Sequence, residues 1–320
     1  MLKNNLPLIS VIVPVYNTEK YISNAITSLK NQTFQDFEII FVDDGTPDNA
    51  ISVIERELQN TQINYSIVRQ QNSGQGIARN MGVKHAKGDW ALFLDSDDVL
   101  SPVCLELYAS EIQKNQSINF LFSKFQYVTE DNLFLEAPQT NKATVIDSEG
   151  LLKGFLTRQL TILVPGSLYK VSMLKENNIW HTSIRWSEDQ HFMWQVLNNV
   201  NGGVFVEACL YNYLQRSASG SIMTSTPVDA MLVAYAKFCD LAQTMKSDTV
   251  KKLLVSRWVL GCLNVLAHRK DNQAWQKFFE EAEGREHLKK LCDFPDVKVR
   301  LLSRLGKVNK RLMYTVMKLI

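Results

Sequence analysis

Cysteine is scarce in this chain: there are five in 320 residues, Cys104, Cys209, Cys239, Cys262 and Cys292, an odd number without CxxC spacing. That argues against a disulfide framework or a cysteine zinc site and leaves reduced, mostly core thiols. The five histidines form no HxxxH pair, so a metal helix of that kind is not indicated either. No stretch reaches the ~18 uncharged apolar residues that a spanning helix needs. The opening MLKNNLPL lacks the apolar core and cleavage site of a secretory signal, so the expected location is the cytoplasm. Net charge is only +2, too little for a general nucleic-acid binder, and no nucleic-acid partner is expected. That charge is uneven: residues 295–320 hold seven Lys or Arg against one Asp, so the preceding residues sum to −4. A Walker A loop is missing, and the glycines Gly74 and Gly76 are followed by Arg79, so GxGxxG is not completed.

What the chain does have is acid at the ends of apolar runs. In WALFLDSDDVL, the apolar residues Trp90 to Leu94 read as a strand buried on both faces. It runs into Asp95, Ser96, Asp97 and Asp98, three carboxylates in four positions with no Lys or Arg among them. Self-repulsion makes that arrangement costly unless a cation is supplied, and a hard divalent ion with oxygen ligands supplies one. The alternative is an acidic turn in which Asp98 or Ser96 caps a helix beginning near Pro102.

Upstream, strands and helices alternate. ISVIVPV (Ile9 to Val15) is a β-branched strand, followed by a helix with apolar positions Tyr21, Ile22, Ile26 and Leu29 and Asn17 or Thr18 as its cap. FEIIFV (Phe37 to Val42) is a second strand, ending in Asp43 and Asp44, with a helix from about Asn49 capped by Asp48. A third strand, Tyr65 to Val68, leads through NSGQG into a helix from Ile77 to Ala86, and the Trp90 strand follows. Four such alternations predict a parallel arrangement with helices on both faces, in which ligands bind beyond the carboxyl ends of the strands. Tyr16, Asp44, the Gly74/Gly76 loop and Asp95/Asp97 all fall at those ends and should converge on one rim.

The set ISVIVPVYN, SLKNQTFQDFEIIFVDDGT and NSGQGIARNMGVKHAKGDWALFLDSDD resembles the N-terminal half of glycosyltransferase family 2, inverting enzymes of the GT-A fold. The resemblance implies a Rossmann-like mixed α/β sheet flanked by helices, with a C-terminal α-helical region. It implies that Pro14, Val15 and Tyr16 line the nucleotide base, that Asp44 accepts a hydrogen bond from uracil, and that Arg79 and Asn80 face the ribose and pyrophosphate. Asp95 and Ser96 would then face the donor, and Asp97 would hold Mn²⁺ or Mg²⁺ on the phosphates. Further on, RWSEDQHFMWQVL is similar to the family's ED motif, which implies Asp189 as catalytic base and Glu188 as an orienting or acceptor-binding group. His191 is either a structural histidine or part of the metal or acceptor shell. Arg216 and Ser221, in QRSASGSIM, match a weaker feature that closes over the pyrophosphate.

After Pro227 the composition becomes helical, with segments expected over Val228 to Met245, Asp248 to His268, Gln273 to Cys292 and Val297 to Leu319. The expected division is a catalytic domain over 1–225 and a helical domain over 226–320. In the last segment Leu301, Leu305, Val308, Leu312, Val316 and Leu319 share one face among basic residues. That pattern fits an amphipathic helix on an anionic membrane surface, a helix packed on its own protein, or a homodimer contact. No QxxRW follows the ED motif, unlike the family's processive synthases. The chain is therefore expected to move one sugar from a nucleotide sugar, a UDP-sugar by the resemblance, to a cell-surface glycan or lipid-linked oligosaccharide. The rivals are a sugar-nucleotide-binding scaffold without turnover and a sugar nucleotidyltransferase.

Overall fold

The β-branched and aromatic runs fold as strands in a computed structural model of the chain, which describes residues 6–133, 140–184, 186–215 and 226–318. The chain divides into two units. The first takes in Met1–Leu151, Ile162–Ser183 and Phe192–Ala218, and the second Leu152–Thr161, Ile184–His191 and Ser219–Ile320.

Nine strands of the first unit form one mixed sheet among the described residues: β1 (Ile9–Val15), β2 (Phe37–Asp43), β3 (Asn64–Arg69), β4 (Trp90–Phe93), β5 (Val99–Leu100), β6 (Phe120–Val128), β7 (Ala143–Asp147), β8 (Leu168–Lys170) and β9 (Gly202–Leu214). The order is β3-β2-β1-β4-β8-β6-β9-β5, with β7 also on β9. The first four are parallel, with Val15 beside Asp43 and Asp43 beside Arg69, so their carboxyl ends share one edge. β8 is antiparallel to β4 and β6, which makes the sheet mixed.

Both faces of β1 are buried, as its unbroken apolar run requires. Val11 and Val13 share a core with Ile22, Ile26 and Leu29 of α1 (Ile22–Lys30) and with Val53 and Ile54 of α2 (Ala50–Leu58). Against Ile12, on the other face, packs Gly82 of α3 (Gln75–His85), where a Cβ would collide with the isoleucine methyl.

Two expected caps are corrected. α1 begins at Ile22 after Tyr21, with no side chain capping it. Asn17 instead takes a left-handed φ of 54° and donates its amide to Thr46 Oγ1, while Thr18 uses its main-chain carbonyl to accept from Tyr21 and Ile22. Neither Ser96 nor Asp98 caps the helix after the acidic turn: α4 (Cys104–Lys114) follows Val103, and Asp98 is engaged elsewhere. α2 starts at Ala50 after Asn49, one residue later than expected, and Asp48, one place before that cap position, accepts from the amide of Ala50 through Oδ1 at 3.2 Å. Helices α5 (Ser148–Thr157), α6 (Val171–Glu176) and α7 (Glu188–Asn199) complete the region before residue 200.

The second unit is helical: α8 (Val228–Thr244), α9 (Asp248–His268), α10 (Asn272–Glu281), α11 (Gly284–Lys290), α12 (Val297–Val308) and α13 (Lys310–Met317). Each of the last two expected segments is broken in two. The first break falls at Glu283, whose φ is 48°. The second falls at Asn309, where φ is −144° and the side chain accepts from the amides of Arg311 and Leu312, both at 3.1 Å. Asparagine competes for backbone donors in this way and so starts a new helix rather than continuing one. The inward positions of the last pair are Val299, Leu302, Met313 and Met317, not the stripe expected from an unbroken helix. All five cysteines are free.

His287 of α11 ties three helices together: its Nε2 lies 3.1 Å from the Tyr235 hydroxyl of α8 and its Nδ1 2.9 Å from the Ser256 hydroxyl of α9. Burial, with help from Lys290, pushes its pKa from 6.5 down to about 4. The native state therefore declines a proton that the unfolded chain accepts, so stability is full above about pH 6.5 and declines as the pH falls toward 4. Calorimetric melting of the parent chain and of His287→Gln at neutral pH and at about pH 5 should show a smaller acid loss in the variant. Equal losses would remove His287 as a source of the dependence.

Candidate active site

The parallel register brings the carboxyl ends of β1, β2 and β4 together, and the residues beyond them meet there. Pro14 and Val15 are buried in β1, while the Tyr16 ring just past its end is 49% exposed. Asp44 follows β2, its amide donating to the Val15 carbonyl at 3.0 Å, and it is only 2% exposed. Its Oδ1 accepts from Gln70 Nε2 at 2.7 Å and from the Ser73 amide at 2.8 Å, and its Oδ2 accepts from the Gly74 amide at 2.9 Å. A carboxylate offers about four lone-pair sites, and three are used to hold the glycine loop. Gly74 has a φ of 91°, which favours glycine, and it starts α3.

Across the rim, the three acids after β4 are held in different ways. Asp95 Oδ1 is 2.7 Å from Nη2 of Arg79, a fully buried guanidinium that also lies over the Phe93 ring at 5.9 Å. Asp98 is buried: the Tyr211 hydroxyl donates to its Oδ2 at 2.5 Å and the Leu214 amide to its Oδ1 at 2.8 Å. Desolvation, reinforced by the charges of Asp95 and Asp97, raises the Asp98 carboxyl well above the ordinary range. The same Tyr211 oxygen accepts from the Asp95 amide at 3.4 Å. Tyr211 is itself packed on Gly166, where φ is 77° and a Cβ would come within 2.5 Å of the ring. Ser96 is buried and Asp97 is partly exposed.

Asn80, one residue past Arg79, is engaged by main chain. Its side chain brackets the main chain of His181, donating to the carbonyl at 2.8 Å and accepting from the amide at 2.9 Å. Glu188 and Asp189 are partly exposed in the first turn of α7, where the helix dipole favours acids. Phe192, Trp194 and Val196 of α7 are buried. His191 is buried edge-on to the Phe238 ring at 5.6 Å, and burial pushes its pKa down to about 4, the behaviour of a neutral structural histidine. Arg216 and Ser221 lie outside the described residues. Three residues of the rim, Gln70, Asp98 and Tyr211, were not expected to hold it. The one signal in the sequence is the alternation of tyrosines in YNYLQ, which puts Tyr211 and Tyr213 on one strand face.

Among the described residues, no three His, Cys, Asp or Glu side chains are grouped to hold a metal by themselves. That does not exclude Mg²⁺ or Mn²⁺, because such ions commonly take one or two carboxylates and draw further ligands from substrate phosphates and water. Of the three acids after β4, Asp98 is turned inward, while Asp95 and Asp97 are partly exposed.

Comparison with known proteins accords with this geometry. Residues 10–175, more than half of the chain, match the family model for glycosyl transferase family 2. The chain belongs to that family. It is 32% identical over 206 residues to an uncharacterised glycosyltransferase of Haemophilus influenzae, covering 62% of this chain and 76% of that one. It is 31% identical over 195 residues to the poly(ribitol-phosphate) β-N-acetylglucosaminyltransferase TarS of Staphylococcus aureus, covering 60% of this chain but only 33% of TarS. The crystal structure of S. aureus TarS 1-349 in complex with UDP-GlcNAc superposes with a TM-score of 0.72 at 22% identity, over 97% of this chain and 90% of that one, a likeness of fold. The mixed sheet flanked by helices is thus a GT-A fold followed by a helical region, and family membership carries a glycosyl-transfer role. No helix among the described residues is long and apolar enough to cross a membrane.

Removing the Tyr211 hydroxyl should leave Asp98 with a single described donor. Tyr211→Phe is expected to lose roughly 1–3 kcal/mol of stability, measured by chemical denaturation. An unchanged midpoint would show that the acidic turn does not rely on that hydroxyl.

Proposed function

We propose that the chain transfers one sugar, with inversion at the anomeric carbon, from a nucleotide sugar to a hydroxyl of a growing cell-surface glycan. The observation that carries this reading is the acidic turn after β4, where Arg79 holds Asp95 and Tyr211 holds Asp98. UDP-sugars are the favoured donors, in keeping with the UDP-GlcNAc complex of TarS. A teichoic-acid-type acceptor is in keeping with the poly(ribitol-phosphate) substrate in the name of that relative. In this reading Tyr16 offers its exposed ring to the base, with Pro14 and Val15 beneath. Asp44 shapes the loop under the nucleotide and keeps one lone pair for it. Asp95, Ser96 and Asp97 face the ribose and diphosphate. Arg79 acts on the donor through Asp95, and Asn80 fixes the segment at His181. Arg216 and Ser221 remain candidates for closing over the pyrophosphate. As a functional division along the chain, residues 1–225 are assigned to catalysis and 226–320 to the helical region, which differs from the compact units in that 152–161 and 184–191 belong to the second.

Asp189 is assigned as general base on its ED motif, with Glu188 orienting the acceptor. The acceptor oxygen bonds to the anomeric carbon as its proton passes to the Asp189 carboxylate, and the bond from that carbon to the phosphate oxygen breaks, its electron pair leaving with the nucleoside diphosphate. Mn²⁺ or Mg²⁺ at Asp97, when bound, supplies positive charge against the charge that develops on the diphosphate. Release of nucleoside diphosphate from UDP-GlcNAc, UDP-glucose and other donors, with and without a glycan extract, tests the assignment. Activity should vanish with EDTA and fall by about 10²-fold or more in Asp189→Asn, with UDP binding retained in that variant and weakened in Asp97→Asn. Pyrophosphate release from UTP and a sugar phosphate would point to a nucleotidyltransferase instead, and donor binding without turnover to a scaffold.

For the C-terminal pair α12 and α13 we infer a peripheral contact with an anionic membrane surface. Val297, Leu301, Val308 and Leu312 are exposed there, from 48% to 84%, beside the exposed Lys298, Lys307 and Arg311. Apolar side chains ringed by cations suit a surface of anionic headgroups. The chain should sediment with phosphatidylglycerol vesicles and not with phosphatidylcholine ones, and Leu301→Asp with Leu312→Asp should abolish the effect. A concentration-dependent dimer that disappears in the same variant would assign that face to a second copy of the chain.

A further inference from the structure

Two parallel strands carry four aromatic residues on one face. Phe125 of β6 is in register with Tyr211 of β9, and Tyr127 is in register with Tyr213. The row begins buried, at the Tyr211 hydroxyl that bonds Asp98, and ends at the strand termini with Tyr127 61% exposed and Tyr213 38% exposed. The exposed rings are not arranged loosely. Tyr127 and Tyr213 meet at 5.6 Å between centroids and 75° between planes, and Phe125 braces Tyr127 from behind at 5.6 Å and 87°. The residues on either side of Tyr213 tie this strand end to the acidic turn: Asn212 is in register with Val99, and the Leu214 amide donates to Asp98 Oδ1 at 2.8 Å.

Packing alone does not explain two large rings in contact with water at the strand ends beside the acidic turn. Edge-to-face tyrosines make a rigid corner: one ring offers its negative π face while the other forms a wall, and each ends in a hydroxyl that can donate or accept. A pyranose matches this, because its C–H faces are apolar and weakly positive while its rim carries hydroxyls. Ordering two tyrosines that already brace each other costs little entropy on binding.

We propose that Tyr127 and Tyr213 form a subsite for a pyranose ring of the acceptor glycan, next to the acidic turn. This rests on the reading that Asp95 and Asp97 face the donor diphosphate, since a sugar held beside that turn is an acceptor only if the donor lies there. A bare phosphodiester chain offers no ring to this corner, so on a teichoic-acid-type acceptor the subsite would engage a sugar already attached to the chain.

The test is binding of cellotetraose, N-acetylchitotetraose and maltotetraose to the full chain, followed by saturation-transfer NMR with UDP and Mn²⁺ present, and binding of UDP measured separately by calorimetry. At least one oligosaccharide should bind, and Tyr127→Ala and Tyr213→Ala should each weaken it by about tenfold or more, or about 1.4 kcal/mol. UDP affinity should stay within about twofold, within the ordinary scatter of a surface substitution. Tyr127→Phe and Tyr213→Phe, which keep the ring and its packing, should retain most of the binding. No bound oligosaccharide, or alanine variants that bind as the parent does, would overturn the subsite. Failure of UDP to bind the parent chain would instead remove the donor assignment, whatever the oligosaccharides do.

Discussion

Three carboxylates within four residues repel one another, and the contacts of Arg79, Tyr211 and the Leu214 amide manage that repulsion. Arg79 is buried without exposure because Asp95 needs a fixed counter-charge, and the pair is tolerated because the Phe93 ring and the start of α3 pack around it. Asp98 is handled in the opposite way. It is withdrawn from water, its carboxyl pushed toward the neutral form, and held by a hydroxyl and an amide from the end of β9. What remains facing outward is Asp97 with one edge of Asp95, a far smaller charge density than the sequence suggests.

This division of labour explains why the sheet is mixed where it is. β9 runs for 13 residues and pairs with β5, β6 and β7. Its last residues arrive beside the acidic turn and supply both Tyr211 and the Leu214 amide. A sheet that stopped at its four parallel strands would leave Asp98 without donors. The antiparallel β8 also matters, because the residues before it bring Gly166, whose missing side chain makes room for the Tyr211 ring.

Much of this architecture is legible in the sequence, and the parts that are not share a physical reason. Strand β1 falls on the residues expected and β2 runs one residue past them, since long β-branched or aromatic runs have no good alternative. The convergence of Tyr16, Asp44, the glycine loop and Asp95 follows from parallel order alone. Helix starts are harder to read, because the Thr18 carbonyl and the Asn17 amide take over from side chains that have the chemistry to cap. The breaks at Glu283 and Asn309 are hidden because a continuous apolar period masks a local choice of φ. Gln70, Asp98 and Tyr211 act through partners 26 to 113 residues away in sequence, and no local pattern encodes such a pairing.

The Asp44 carboxylate spends three of its acceptor sites on the loop from Gln70 to Gly74. The loop is thereby ordered when the chain folds, not when a ligand arrives, and its conformational entropy is given up once, at folding. Affinity at this rim and stability of the fold are consequently drawn from the same hydrogen bonds. A weakened ligand response on altering Asp44 would therefore report the disorder released into the unliganded protein as much as any bond missing from the complex.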